Sequence, residues 1–220
     1  MSVKSIKLNK FVKSQYLKEA VLYGAYATEL VNVNDPYEWD GIEYNYLYRL
    51  ACMTSSSKAM LLWSYYVNHQ GCCVEYRIPQ ELIDRLIIRK VSYDETFIRR
   101  DNLDRDQVID SLYHKGKEWE KENEYRAVYY EKSADNDVWV VHDKEVYLSV
   151  IPVSVTFGVN CHMSNEYIDN MLFLKEYIDN KNNPTLTVKK LQLSRNSYRL
   201  EEMKQYDFDE EIRRIEGMKR

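Results

Sequence analysis

The residues best suited to chemistry in this 220-residue chain are Glu122, Glu124 and Arg126, within Lys117-Glu118-Trp119-Glu120-Lys121-Glu122-Asn123-Glu124-Tyr125-Arg126. That run leads straight into Ala127-Val128-Tyr129-Tyr130, so a charged, helix-favouring stretch turns into an aromatic and β-branched one. Where strand geometry has begun by Glu122, side chains two apart share a face, and two carboxylates and a guanidinium point the same way. Charges crowded in this way are costly unless they do something. The bland alternative is an exposed sheet face whose Glu and Arg pair in solvent for ~0–1 kcal/mol.

Two further constellations carry potential chemistry. Trp63, Tyr66 and His69 recur at helical spacing in Trp63-Ser64-Tyr65-Tyr66-Val67-Asn68-His69-Gln70-Gly71, a stripe that could line a pocket for a flat ring or simply be core with a capping histidine. Asn34-Asp35-Pro36-Tyr37-Glu38-Trp39-Asp40 sets three acids among two aromatics, which suits a ribose or a cation and equally suits a tight turn. The glycines are scattered singly, with no G-x-G-x-x-G, no G-K-[ST] and no G-x-S-x-G. A phosphate-loop NTPase, a Rossmann oxidoreductase and a serine hydrolase are therefore disfavoured. A metal-dependent nuclease would need Glu-x-Lys after a strand acid, and Glu131-Lys132 lacks that spacing. There is no C-x-x-C, and Cys161-His162 is the one Cys/His neighbour pair, so no metal is expected.

The elements that must position these residues follow from periodicity and punctuation. Residues Lys7 to Leu30 carry Leu8, Phe11, Val12, Tyr16, Leu17, Ala20, Val21 and Tyr23 at threes and fours, which predicts an amphipathic helix interrupted near Gly24. Tyr48 to Met53 reads as a strand, Thr54-Ser55-Ser56-Ser57 as a capping loop, and Lys58 to Asn68 as a helix stopped at Gly71. Strands are expected at Cys72–Ile78, Ile87–Tyr93, Glu124–Glu131, Val138–Val141, within Tyr147–Val159 and at Thr185–Leu193. Helices are expected over Asp104–Glu120, from Ser164 to about Asp179, and over Phe208–Met218. With no repeat and no linker, the whole of 1–220 is read as one α+β domain. Its sheet, whole or split, is expected to be mixed and mainly antiparallel, with flanking helices.

Composition sets outer bounds. With 45% hydrophobic and 30% charged residues the chain reads as an ordinary globular protein. No apolar run approaches the ~20 residues of a membrane helix, and Met1 to Lys13 has no apolar block after its lysines, so a cytoplasmic location without a membrane partner is expected. A net charge of −4 argues against a broad nucleic-acid coat but leaves room for small basic patches. Lys189, Lys190, Arg195 and Arg199 form one, and Arg213, Arg214, Lys219 and Arg220 another. Tyrosine is over-used, 20 against 5 phenylalanines, which suits half-buried faces and clefts that hold flat polar ligands.

The order Asn34-Asp35-Pro36-Tyr37-Glu38, Trp63-x-x-Tyr66-x-x-His69-x-Gly71 and Trp119-x-x-Glu122-x-Glu124-Tyr125-Arg126 resembles a bacterial domain-of-unknown-function family over roughly residues 8 to 160. Leu62 before Trp63 and Gln70 after His69 are small departures, and Lys10 or Lys13 is the nearest match to an N-terminal basic residue. More remotely the plan is similar to that of the ADP-ribosyltransferases. That resemblance implies NAD as substrate, a protein or nucleic-acid acceptor, and a bacterial toxin or phage-defence role with an antitoxin or regulatory partner. It gives Glu124 the task of stabilising the ribose oxocarbenium and Glu122 that of handling the acceptor. Trp63 and Tyr66 would stack nicotinamide, Ser55 or Ser57 would fix its carboxamide or the ribose, and Arg126 would hold the carboxylates or a pyrophosphate oxygen. Trp119, His69 and Asn34 complete the implied binding set. The other reading from the same residues is a non-enzymatic interaction domain whose Glu/Arg cluster is structural.

Overall fold

A computed structural model describes residues 5–96, 99–133, 137–180 and 185–218. Its strands are β1 (Ser5–Val12), β2 (Ala25–Glu29), β3 (Tyr48–Thr54), β4 (Cys72–Pro79), β5 (Ile88–Lys90), β6 (Ser92–Asp94), β7 (His114–Gly116), β8 (Glu124–Tyr130), β9 (Trp139–His142), β10 (Glu145–Leu148), β11 (Ile151–Phe157), β12 (Thr187–Leu193) and β13 (Leu200–Glu202). The helices are α1 (Leu17–Leu22), α2 (Met60–Val67), α3 (Gln80–Asp84), α4 (Arg105–Ser111), α5 (Asn165–Asp179) and α6 (Phe208–Met218). The class is α+β, with a mixed, mainly antiparallel sheet and a separate two-stranded parallel pair. Among the described residues no helix is long and apolar enough to cross a membrane.

The chain divides into two compact units, each assembled from several stretches of sequence. The first comprises residues 1–8, 23–55 and 77–150. In it β3 pairs antiparallel with β2 and β8, β8 with β5, and β10 with β2 and β9, while β6 and β7 run parallel. Its core gathers Leu30, Ile42, Leu47, Tyr48, Leu50, Val108 and Leu112. The second unit comprises residues 9–22, 56–76 and 151–220. There β11 pairs parallel with β12, and β12 antiparallel with β13. From Pro152 to Phe157, β11 is buried without alternation, as expected of a strand covered on both faces.

Local chemistry explains several boundaries. Asp104 and Gln107 form a reciprocal capping box on α4, and Ser164 accepts from the Tyr167 amide at 3.1 Å to start α5. α6 spans Phe208–Met218 as its pattern predicts, with Ile212 and Ile215 buried on one stripe.

Elsewhere the structure corrects the sequence reading. The helix expected over residues 7–30 is a strand, a short 3-10 turn at Ser14–Tyr16, the single helix α1 and a second strand. Leu8 and Val12 are four apart, a spacing that puts them on one face in either period, and pairing with distant strands decides between the two. The helix expected over 104–120 ends at Ser111, and β7 and a 3-10 segment at Lys117–Glu122 take its place. The strand expected over 87–93 is divided into β5 and β6 at Val91. The serine loop does not cap α2: Ala59 is its N-cap residue, and no side chain bonds there. Lys219 and Arg220 lie outside the described residues.

Candidate functional site

Glu122, Glu124 and Arg126 do converge, all buried in the first unit, by a route different from simple strand alternation. Glu124 and Arg126 are both on β8 and share a face, which lets the guanidinium fork clasp its neighbour: Nε to Oε1 at 2.8 Å and Nη2 to Oε2 at 2.9 Å. Glu122 is instead the last residue of the 3-10 segment. It is turned toward the pair by Asn123, which takes the left-handed conformation at φ 44° and so reverses the chain before β8 begins. The Asn123 side chain donates to Ser55 Oγ, and Thr54 Oγ1 donates to the Glu122 carbonyl at 2.8 Å, pinning the reversal to the end of β3.

Two residues that the sequence reading missed complete the cluster. Lys115, on β7, sends Nζ to within 2.7 Å of Glu122 Oε2, 3.2 Å of Glu38 Oε1 and 3.5 Å of Glu124 Oε2, and 4.5 Å from the centre of the Trp119 ring. A single ammonium thus sits among three carboxylates under an indole face. Glu38 arrives from the turn that Asp35 opens by accepting from the Tyr37 amide at 3.0 Å, and its Oε2 lies 2.7 Å from Arg126 Nη2. That contact lacks hydrogen-bond alignment and is an electrostatic one. Arg126 Nη1 also donates to the Leu112 carbonyl at 2.7 Å. Arg100 is buried alongside, donating to the Tyr37 carbonyl and to Ser111 Oγ and O.

Burial decides how these charges behave. Glu38 is 2% exposed, Glu124 5%, Arg126 1%, and Glu122 and Lys115 7% each, so none is an ordinary surface ion. Burial alone would raise the Glu124 carboxyl, but the Arg126 guanidinium and Lys115 ammonium outweigh it and hold the group at about 2. Burial likewise works against the charge on Lys115, and the surrounding carboxylates more than reverse it, so its pKa is raised. Arg126 is raised for the same reason. Burial pushes the Tyr93 phenol up to about 12, leaving its oxygen as a neutral acceptor for the Glu124 amide at 2.8 Å. Three carboxylates against two cations leave one negative charge, which the adjacent Arg100 offsets.

The remaining residues of the implied site are distributed as follows. In the first unit Ser55 and Asn34 are exposed, and Trp119 is half-buried over Lys115. Ser57, Trp63, Tyr66 and His69 belong to the second unit. Trp63 is completely buried, packed with Val67, Cys73, Leu191 and Leu200, edge-on to Phe11, and its indole N–H donates to the Ser57 carbonyl at 2.8 Å. Tyr66 packs against the same core. His69 follows Asn68 in the left-handed region and closes α2, with Nε2 2.8 Å from Ser64 Oγ and its ring parallel to Trp63. Trp63 and Tyr66 are thus core, as that spacing allowed, and the C-cap residue of α2 is Asn68 in place of the expected His69. Among the described residues no group of three or more His, Cys, Asp or Glu is arranged to hold a metal ion.

The missed residues had left signals. Glu38 stands in the acid-and-aromatic turn already singled out, and Gly116 argues against a helix running through Lys115, because glycine interrupts a helix interior. Compared with models of protein families, with curated proteins and with solved structures, the chain matches none.

Proposed function

We propose that the chain is a non-catalytic interaction domain in which Glu38, Lys115, Glu122, Glu124 and Arg126 form a structural ion cluster. The observation that carries this reading is the commitment of Glu124: both carboxylate oxygens lie in the Arg126 fork and the residue is 5% exposed. A carboxylate that holds a ribose hydroxyl and faces an oxocarbenium needs an oxygen open to substrate, and a stacking tryptophan needs an open ring face. Glu124 and Trp63 offer neither.

The cluster has a clear mechanical consequence. Glu38, held through Arg126 and Lys115, and the Tyr37 carbonyl, held by Arg100, fix the turn after Asp35 from beneath. That turn displays Tyr37, a residue 64% exposed, and the same loop displays Tyr44 and Tyr46 in edge-to-face contact at 6.2 Å. Exposed tyrosines on a rigidly anchored loop give contact area at low entropic cost, which suits a protein partner.

The rival transferase reading is tested directly by incubating the protein with labelled NAD and cell extract, alongside Glu124→Gln. The expected result is neither label transfer nor NAD loss by either protein. NAD consumption or label transfer by the wild type that is lost in Glu124→Gln would overturn the proposal and restore the transferase.

A further inference from the structure

The connection between β12 and β13, residues Ser194 to Arg199, is an ordered turn. The Ser194 amide donates to the Arg199 carbonyl at 3.0 Å, the Arg199 amide to the Ser197 carbonyl at 2.9 Å, and Ser197 Oγ to Ser194 Oγ at 3.2 Å. Leu191 and Leu200 root it in the core of the second unit. On this turn Tyr198 is fully exposed (103%), and among the described residues it touches no other ring and the exposed Arg195 and Arg199 guanidiniums have no hydrogen-bond or ion-pair partner.

The neighbouring charges are already spent. Lys189 and Lys58 both pair with Glu202, at 3.4 and 3.3 Å, and the Lys190 ammonium lies over the Tyr167 ring at 5.1 Å. Residues 187–204 hold five basic and two acidic side chains, a local +3 in a chain of −4. A structured turn therefore carries an aromatic that contributes nothing to packing, between two guanidiniums that neutralise nothing in the fold. The ligand such a set fits is a flexible polyanion with flat, unstacked rings: the tyrosine face takes a base and the arginines take flanking phosphates. Ser194, Asn196 and Ser197 make the rest of the turn too polar to immerse in a lipid interface, and a duplex offers no free base face to the tyrosine.

We propose that the β12–β13 turn is a contact site for single-stranded nucleic acid, a site independent of the ion cluster and of the function proposed for it. The test is fluorescence anisotropy of a fluorescein-labelled, mixed-sequence single-stranded RNA of about twelve nucleotides, titrated with the full chain at low salt and again at several higher salt concentrations. Tyr198→Ala is expected to weaken binding by about 5- to 150-fold while Tyr198→Trp preserves it. Arg195→Ala with Arg199→Ala is expected to lower the slope of log affinity against log salt by about 1.4, at ~0.7 per phosphate contact. All these side chains are exposed, so unchanged circular dichroism is expected for each variant. Absence of binding by the wild type, binding indifferent to these substitutions, or preference for anionic vesicles over the oligonucleotide would each overturn the proposal.

Discussion

Replacing Glu124 by glutamine is expected to cost roughly 3 kcal/mol of stability at neutral pH and almost nothing near pH 2. The carboxyl lies at about 2 in the folded protein against its ordinary 4.5, a gap of about 2.5 pH units. At ~1.36 kcal/mol per unit this is roughly 3 kcal/mol, in line with the ~3–5 kcal/mol lost when one member of a buried ion pair is removed. Because the folded value is the depressed one, the unfolded chain takes up the proton first as pH falls. The contribution is whole above 4.5 and drains away as pH drops toward about 2. Glutamine cannot titrate, so the two stability curves should be separated at neutral pH and converge in acid. Urea unfolding followed by circular dichroism and by tryptophan fluorescence, from about pH 7 to about pH 3, reads this difference directly. A constant offset between the two proteins over that range, or a variant as stable as the wild type at neutral pH, would refute the electrostatic account of the cluster.

Other outcomes follow from the same geometry. Arg126→Met leaves the Glu124 and Glu38 carboxylates without their shared guanidinium and the Leu112 carbonyl without its donor, and is expected to cost ~3–5 kcal/mol in the same urea assay. Gly158→Ala would place a Cβ 2.3 Å from the His69 carbonyl oxygen, a backbone atom that cannot swing aside. Loss of the folded state or a fall in thermal midpoint well beyond that of a surface control is expected by calorimetry. Cys72 and Cys73 are buried thiols whose pKa values burial raises, so they should react with a thiol reagent at mild alkaline pH only on the timescale of unfolding, as read by mass spectrometry.

How much of this was legible in the sequence depends on whether the deciding signal was local. Caps and amphipathic stripes are local, so α5 and α6 could be read almost to the residue: Ser164 supplies its own oxygen to α5, and Ile212 and Ile215 mark the buried side of α6. β8 was legible because Ala127-Val128-Tyr129-Tyr130 admits little but a strand. Residues 7–30 were not, because apolar spacings of four fit both periods and only pairing with distant strands chooses between them.

The cluster shows the same division within one site. Arg126 clasping Glu124 is a two-residue strand relation and could be read directly, whereas Glu38 and Lys115 reach the same point from a capped turn and a three-residue strand whose positions depend on tertiary contacts. Burial was the quantity that sequence could not supply, and it reverses the meaning of the motif. In solvent the same Glu and Arg pairs would contribute ~0–1 kcal/mol and leave their oxygens free for a ligand. Enclosed, they bind one another, and on the proposed reading they lock three separate stretches of chain in register beneath a tyrosine-bearing loop.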